Sequence, residues 1–277
     1  MTRPFARSAD RFVESTGLAL RIRDVGAGRP LLLVNGLGGR LEGWQALVDR
    51  LPGRRLVAVD HPGTGRSQAP RYPMTIRQLA ELYRDVLDQL GIEVFDVLGY
   101  SFGGMIAQQL GKDHPNRVAS MVLVGTACGW GGFPADPLAM LAVTNPLLYQ
   151  CKAVHELSAP VLYRGRVGRH PGLLDTELSG WNGARPSLTG LLYQFAAGST
   201  WSSLPWLARL TMPTLVLGGD EDPLAPVANS RLLASGIPHA ELRVIDHGGH
   251  LFPFDRARVV GPIITEFLDR QAGVATA

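Results

Sequence analysis

Residues 94–104 read VFDVLGYSFGG. Val94, Phe95, Val97 and Leu98 form a short apolar and β-branched run that stops at Gly99-Tyr100-Ser101-Phe102-Gly103, and residues 105–110 follow at once with helix-like composition. The segment therefore reads as strand, tight turn and helix, with one serine at the turn. A turn this sharp strains the serine backbone and brings neighbouring segments too close for a β-carbon, which explains the glycines two residues to either side. Ser101 is expected to stand above the sheet with a helix starting beneath it. Its hydroxyl is a weak nucleophile near neutral pH, so the pattern has chemical meaning only if the chain also supplies a histidine and an orienting carboxylate.

Working outward, the flanking sequence alternates strand and helix signals. Residues 11–15 and 18–25, separated by Thr16-Gly17, suggest an antiparallel hairpin, since the second run alternates apolar with polar residues. Residues 31–34, 56–59, 118–124, 214–218 and 241–245 are short runs of the kind expected of buried parallel strands. Residues 75–90 place Ile76, Leu79, Tyr83, Val86, Leu87 and Leu90 on one face, with Thr75 and Gln78 spaced as a capping box, and residues 259–270 read as a closing helix. The alternation predicts an α/β fold with a mostly parallel sheet flanked by helices. One region breaks it: residues 126–210 show no strand pattern, only Pro- and Gly-punctuated short segments carrying Trp130, Phe133, Trp181, Tyr193, Phe195, Trp201 and Trp206. Residues 1–126 and 211–277 are thus expected to form the core, and residues 127–210 a helical lid inserted between two strands.

Both partners for Ser101 occur at predicted strand ends. After residues 214–218 comes GDEDPLAP, residues 219–226, and after residues 241–245 comes DHGGHLF, residues 246–252. His250 is the candidate base. Of Asp220, Glu221 and Asp222, the last lies in the Pro-flanked turn suited to aim a carboxylate back across the sheet, and Asp222 is the predicted acid. The order serine, acid, histidine belongs to neither of the chymotrypsin and subtilisin arrangements. An oxyanion formed in acyl transfer also needs donors. The N–H of Phe102, at a helix N-terminus, and that of Leu37, in the glycine-rich loop of residues 35–39, are the candidates.

Composition excludes several other classes. The chain has 277 residues, 45% hydrophobic and 18% charged, with a net charge of only +3 and scattered arginines, so nucleic-acid binding is not suggested. Two cysteines make no disulfide framework, residues 1–12 contain no apolar signal region and no run is long enough to span a membrane, so a cytoplasmic location is expected. His247 and His250 are separated by Gly248-Gly249, which opposes a helical metal pair, and no third ligand is placed. The loop at Gly36 has Leu41 where a dinucleotide fingerprint requires glycine. No metal and no cofactor are therefore expected. His61, in its Pro-Gly loop, reads as structural, and the tryptophans serve equally well as lid core or as walls of an acyl pocket.

Residues 32–39, the D-x-P-G-x-G-x-S loop from Asp60 to Ser67, GYSFG, GDEDPLAP and DHGGH together resemble the α/β-hydrolase superfamily along nearly the whole chain. Residues 193–204, 213–217, 220–226, 231–234 and 237–252, with the Asn35-Gly36 loop, are similar to intracellular medium-chain-length poly(3-hydroxyalkanoate) depolymerases. The resemblance implies hydrolysis of 3-hydroxyacyl polyesters or oligomers, with a polyester granule surface as a partner and Ser101, Asp222 and His250 as the triad. Trp130, Trp181 and Trp201 are the candidate substrate contacts. A general carboxylesterase or a carbon–carbon bond hydrolase of the same fold stands as the alternative, and a non-catalytic ligand receptor as a third reading.

Overall fold

The apolar runs pair into a single twisted surface whose two sides are both covered. In the computed structural model, which describes Phe5, residues 10–174 and residues 185–274, the strands are β1 (Arg11–Ser15), β2 (Leu18–Val25), β3 (Arg29–Val34), β4 (Arg54–Val59), β5 (Phe95–Tyr100), β6 (Val118–Val124), β7 (Thr214–Gly219) and β8 (Ala240–Ile245). They form an eight-stranded sheet in the order β1-β2-β4-β3-β5-β6-β7-β8. The first two junctions are antiparallel and the rest parallel. Successive strand residues point to opposite faces. Leu32, Val34, Val57, Val97 and Leu123 accordingly enter one core with the helices α1 (Ile76–Gln89) and α2 (Phe102–Asp113). Leu31, Leu33, Leu98, Val122 and Leu217 enter the other. That second core is closed by Trp44, Leu47 and the last helix, α7 (Ala257–Val274).

The predicted capping box of α1 is present: the Thr75 side chain accepts from the Gln78 N–H, and Gln78 Oε1 accepts from the Thr75 N–H at 2.9 Å. Such a cap is worth about 1 kcal/mol. Two helices extend beyond their expected limits. α2 starts at Phe102, directly after the serine, because Gly103 and Gly104 are helical despite their poor propensity, and α7 spans Ala257–Val274.

Between β6 and β7 the regular structure of the described residues is mainly helical. It contains α3 (Pro137–Thr144), α4 (Lys152–Leu162) and α5 (Leu188–Ser199), with helical turns at Gly165–Arg169 and Leu204–Arg209, and α6 (Val227–Gly236) follows β7. Among the described residues its β structure is limited to one bridge, Gly129 with Ser202. Asp136 caps α3 by accepting from the Leu138 and Ala139 N–H groups, and Pro137 takes the first helical position. The parallel register that sets Val34 beside Gly99 brings the loops after β3 and β5 together at the carboxyl edge of the sheet, where ligands of open α/β sheets bind. Among the described residues, no helix is long and apolar enough to cross a membrane.

Candidate active site

Ser101 sits at φ 52° and ψ −118°, a conformation that L-residues rarely adopt and that persists only where the surroundings hold it. Its N–H donates to the Val124 carbonyl at 2.9 Å, and its carbonyl accepts from the Thr126 hydroxyl at 2.6 Å and the Gly104 N–H at 2.9 Å. The elbow glycines are required by close approach. A β-carbon on Gly99 would lie 2.5 Å from the Gly103 carbonyl oxygen, and one on Gly103 would lie 2.1 Å from that of Val34. The reading of both as packing glycines therefore has a direct structural basis.

The histidine reaches the serine from the far side of the sheet edge. His250 Nε2 lies 3.0 Å from Ser101 Oγ, and Nδ1 lies 2.9 and 2.8 Å from the two carboxylate oxygens of Asp222. Both side chains are nearly inaccessible to solvent, at 6% and 0%. Asp222 Oδ1 also accepts the N–H groups of Leu224 and Ala225, each at 2.9 Å, so the turn after β7 fixes the carboxylate. The neighbouring acids do other work. Asp220 accepts the Gly248 N–H at 3.1 Å, while Glu221 accepts from Gly165 N–H and Arg169 and pairs with His247 Nδ1 at 2.8 Å. The His247 contact first, and that of Arg169 after it, hold the Glu221 carboxyl below its ordinary range. His247 and His250 thus face different acids. Among the described residues, no group of three or more His, Cys, Asp or Glu side chains is arranged to hold a metal.

The loop after β3 lies against the elbow. Asn35 Oδ1 accepts the Gly36 N–H at 2.8 Å and its Nδ2 donates to the Arg40 carbonyl at 2.9 Å. Among the described residues, neither the Leu37 nor the Phe102 N–H donates to an acceptor outside its own element. The Asp60–Ser67 loop is a scaffold. Asp60, fully buried, accepts from Leu41 N–H, Arg66 N–H and the Arg21 guanidinium, while the Ser67 hydroxyl donates to the Asp60 carbonyl at 2.7 Å. His61 is structural, as expected. Its Nε2–H donates to the Asn35 carbonyl and its Nδ1 accepts from the Tyr83 hydroxyl, both at 2.8 Å, and burial lowers its pKa to about 4. The ring is therefore neutral at physiological pH.

A cavity of about 200 Å³ opens beside Ser101 and His250. Its walls include Val143, Leu148, Tyr149, Leu162 and Phe254, with the residues of the 35–39 loop at one side. A polar pair also lines it: the Tyr163 hydroxyl donates to His155 Nε2 at 2.7 Å, and His155 Nδ1–H donates to the Leu148 carbonyl at 3.2 Å. Burial pushes the His155 pKa down. The structure does not bring Trp130 or Trp201 into this lining. Trp130 is 78% exposed, while Trp201 packs edge-on against Trp206 and donates from Nε1 to Gln109 at 2.8 Å. Trp181 lies outside the described residues. Trp130 and Trp201 lie in non-helical stretches beside the Gly129–Ser202 bridge, and ring size alone does not say which way such a stretch turns its side chains. The signal that would have found the lining is the density of Leu, Val and Tyr in residues 143–163.

The sheet order, the elbow and the residues converging on it place this chain in a known group, and the alpha/beta hydrolase fold family matches residues 29–150 and 162–257. The chain belongs to that family. It is 39% identical over 243 residues to a poly(3-hydroxyalkanoate) depolymerase of Ectopseudomonas oleovorans, covering 87% of this chain and 85% of that protein. It is 28% identical over 275 residues to the 2-hydroxymuconate semialdehyde hydrolase of Pseudomonas sp. strain CF600, covering 93% of each. The solved structure of Est816, an N-acyl homoserine lactone degrading enzyme, superposes with a TM-score of 0.77 at 28% identity, covering 93% of this chain and 100% of that one.

Proposed function

We propose that this hydrolase cleaves carboxylic esters through an acyl-enzyme formed on Ser101, and that its substrates are poly(3-hydroxyalkanoate) or the oligomers derived from it. The observation that carries the reading is the continuous hydrogen-bonded path from Asp222 through His250 to the Ser101 hydroxyl, 3.0 Å at its last step, opening onto a largely apolar cavity. His250 Nε2 takes the hydroxyl proton as Oγ attacks the ester carbonyl. Asp222 holds Nδ1–H and stabilises the imidazolium that forms. The N–H groups of Leu37 and Phe102 receive the oxyanion, each worth on the order of 3 kcal/mol in the transition state. His250 then protonates the leaving alkoxide, and water activated by the same nitrogen releases the acyl group. No step calls for a cofactor.

Substrate class rests on the cavity and on the 39% identical depolymerase. Residues 127–210 serve as a lid in this reading, since their helices supply the apolar walls above the serine. Leu138, Leu141 and Leu157, at 65%, 71% and 84% exposure, turn outward from α3 and α4 and suit contact with a polyester granule. The likeness to the semialdehyde hydrolase favours one second reading, carbon–carbon bond cleavage of a dienoic acid by the same residues.

The test is turnover of 3-hydroxyalkanoate oligomers, simple p-nitrophenyl esters and a dienoic ring-cleavage product by the wild type and Ser101→Ala. Oligomer and ester cleavage lost in Ser101→Ala is the expected result. Activity on the dienoic acid with none on esters would select the second reading. Ester cleavage by Ser101→Ala at the parent rate would end both.

A further inference from the structure

The loop carrying Leu37 is held from outside by one side chain of α5. The buried positions of that helix are Gly190, Leu191, Gln194 and Ala197, the spacing of a single helix face. Gln194 is its polar member, at 3% exposure, and a buried amide must find partners for both its oxygen and its nitrogen. Its Oε1 accepts the Gly38 N–H at 3.0 Å, and its Nε2 donates to Thr64 Oγ1 at 2.9 Å and the Pro62 carbonyl at 3.4 Å. The helix comes close enough because it crosses the Asp60–Ser67 loop at a glycine pair. A β-carbon on Gly63 would lie 2.7 Å from Gly190 Cα, and the Ser187 N–H donates to the Gly63 carbonyl at 2.8 Å.

Leu37 N–H belongs to the peptide unit whose carbonyl, that of Gly36, accepts the Gly39 N–H at 3.0 Å. The preceding N–H is held by Asn35, and the following one, that of Gly38, by Gln194. Gly38 stands at φ +66°, a region glycine leaves at little cost, so its own preference does not fix the peptide it shares with Leu37. His61 holds the loop from outside at the Asn35 carbonyl, and Gln194 is the outside anchor of the Leu37–Gly38 peptide.

We propose that Gln194 is a positioning residue for oxyanion stabilisation: by accepting the Gly38 N–H it fixes the orientation of the adjacent Leu37 N–H, so that α5 takes part in the chemical step as well as covering the site. The inference rests on the reading of Leu37 as an oxyanion donor in an ester hydrolase. It separates cleanly from a packing role, because a misaligned donor weakens transition-state binding for every ester, whereas a loosened cover affects those with long acyl chains.

The experiment compares wild type, Gln194→Leu and Thr64→Val on p-nitrophenyl acetate and p-nitrophenyl octanoate, with inhibition by an alkyl boronic acid, whose serine adduct is tetrahedral. Gln194→Leu is expected to lower kcat on both esters about 30-fold with KM within about 3-fold, and to weaken the boronate by a similar factor. Thr64→Val, which removes the contact on the other side of the amide, is expected to keep kcat within about 3-fold. If Gln194→Leu does not fold, Gln194→Met, which restores length without an amide, carries the same comparison. A loss confined to KM for the octanoate, with acetate turnover and boronate affinity unchanged, would overturn the positioning role while leaving the ester hydrolase reading intact. No ester turnover by the wild type would overturn that reading and this inference with it.

Discussion

The main-chain N–H of His250 donates to the carbonyl oxygen of Tyr163 at 2.8 Å, across the boundary between the inserted helical segment and the loop after β8. On its other side the His250 carbonyl accepts the Tyr100 hydroxyl at 3.0 Å, and the Tyr100 and His250 rings lie 5.2 Å apart. The histidine backbone is thus clamped between the end of α4 and the residue preceding Ser101. Tyr100→Phe removes one jaw and leaves a buried carbonyl unpaired. It is expected to cost about 1–2 kcal/mol of stability, read from urea unfolding, and to lower kcat several-fold with little change in KM.

Three acids in a row follow β7, and the structure gives them separate partners. Asp222→Asn is expected to lower kcat for ester hydrolysis by about 10³–10⁴, because the amide no longer stabilises the imidazolium. Glu221→Gln, which touches Gly165, Arg169 and His247 but not His250, is expected to keep kcat within about 3-fold. Parallel kinetics on the two variants check the assignment of the acid.

His61 is neutral in the fold and carries an ordinary histidine pKa of about 6.5 when unfolded. Its folded pKa, lowered to about 4 by burial, means that the unfolded chain binds the extra proton between those two values. Stability contributed by this residue is therefore complete above pH 6.5, falls as the pH drops towards 4 and falls no further below it. The loss amounts to roughly 3 kcal/mol. Urea midpoints from pH 7.5 to 4 should drop more steeply for the wild type than for His61→Gln, and the difference between the curves isolates the residue.

The apolar cavity sets an expectation for chain length. Leu148 is buried and faces it from the inserted segment. Leu148→Trp fills part of that space and is expected to move the best p-nitrophenyl ester from a medium to a short acyl chain, with kcat/KM for the octanoate falling about 10-fold or more while the acetate is little affected.

The parts of this fold that were legible in the sequence are those whose environment is uniform. Strands covered on both faces become short apolar runs, so residues 31–34, 56–59 and 118–124 announced β3, β4 and β6, and the glycines around Ser101 marked a turn that tolerates no β-carbon. The Pro-flanked turn that sets Asp222 apart from Asp220 and Glu221 in the sequence is the turn whose N–H groups hold its carboxylate against His250. The cavity walls were not legible. They arise where short helices of the inserted segment meet, and Trp130 and Trp201 end up on the surface and against Trp206 instead. Gln194 did leave a trace: it is a polar residue on the same face as Gly190, Leu191 and Ala197, and a buried amide on an apolar stripe points to a partner in another segment.

The strand order has a consequence for how the protein comes into being. Ser101 and its elbow are complete once β6 is made, but β7 must dock on the open edge of β6 after all of residues 125–213 have been synthesised, and β8 on β7 after that. At a translation rate of roughly 5–20 residues per second, the nascent chain carries Ser101 without His250 beside it for several seconds. Over that interval Met121, Val122, Leu123 and Val124 present an unpaired apolar edge to the cell. Asp222 and His250 thereby reach Ser101 only after β7 and β8 have been made, and the same delay makes that edge a stretch in need of protection during biosynthesis.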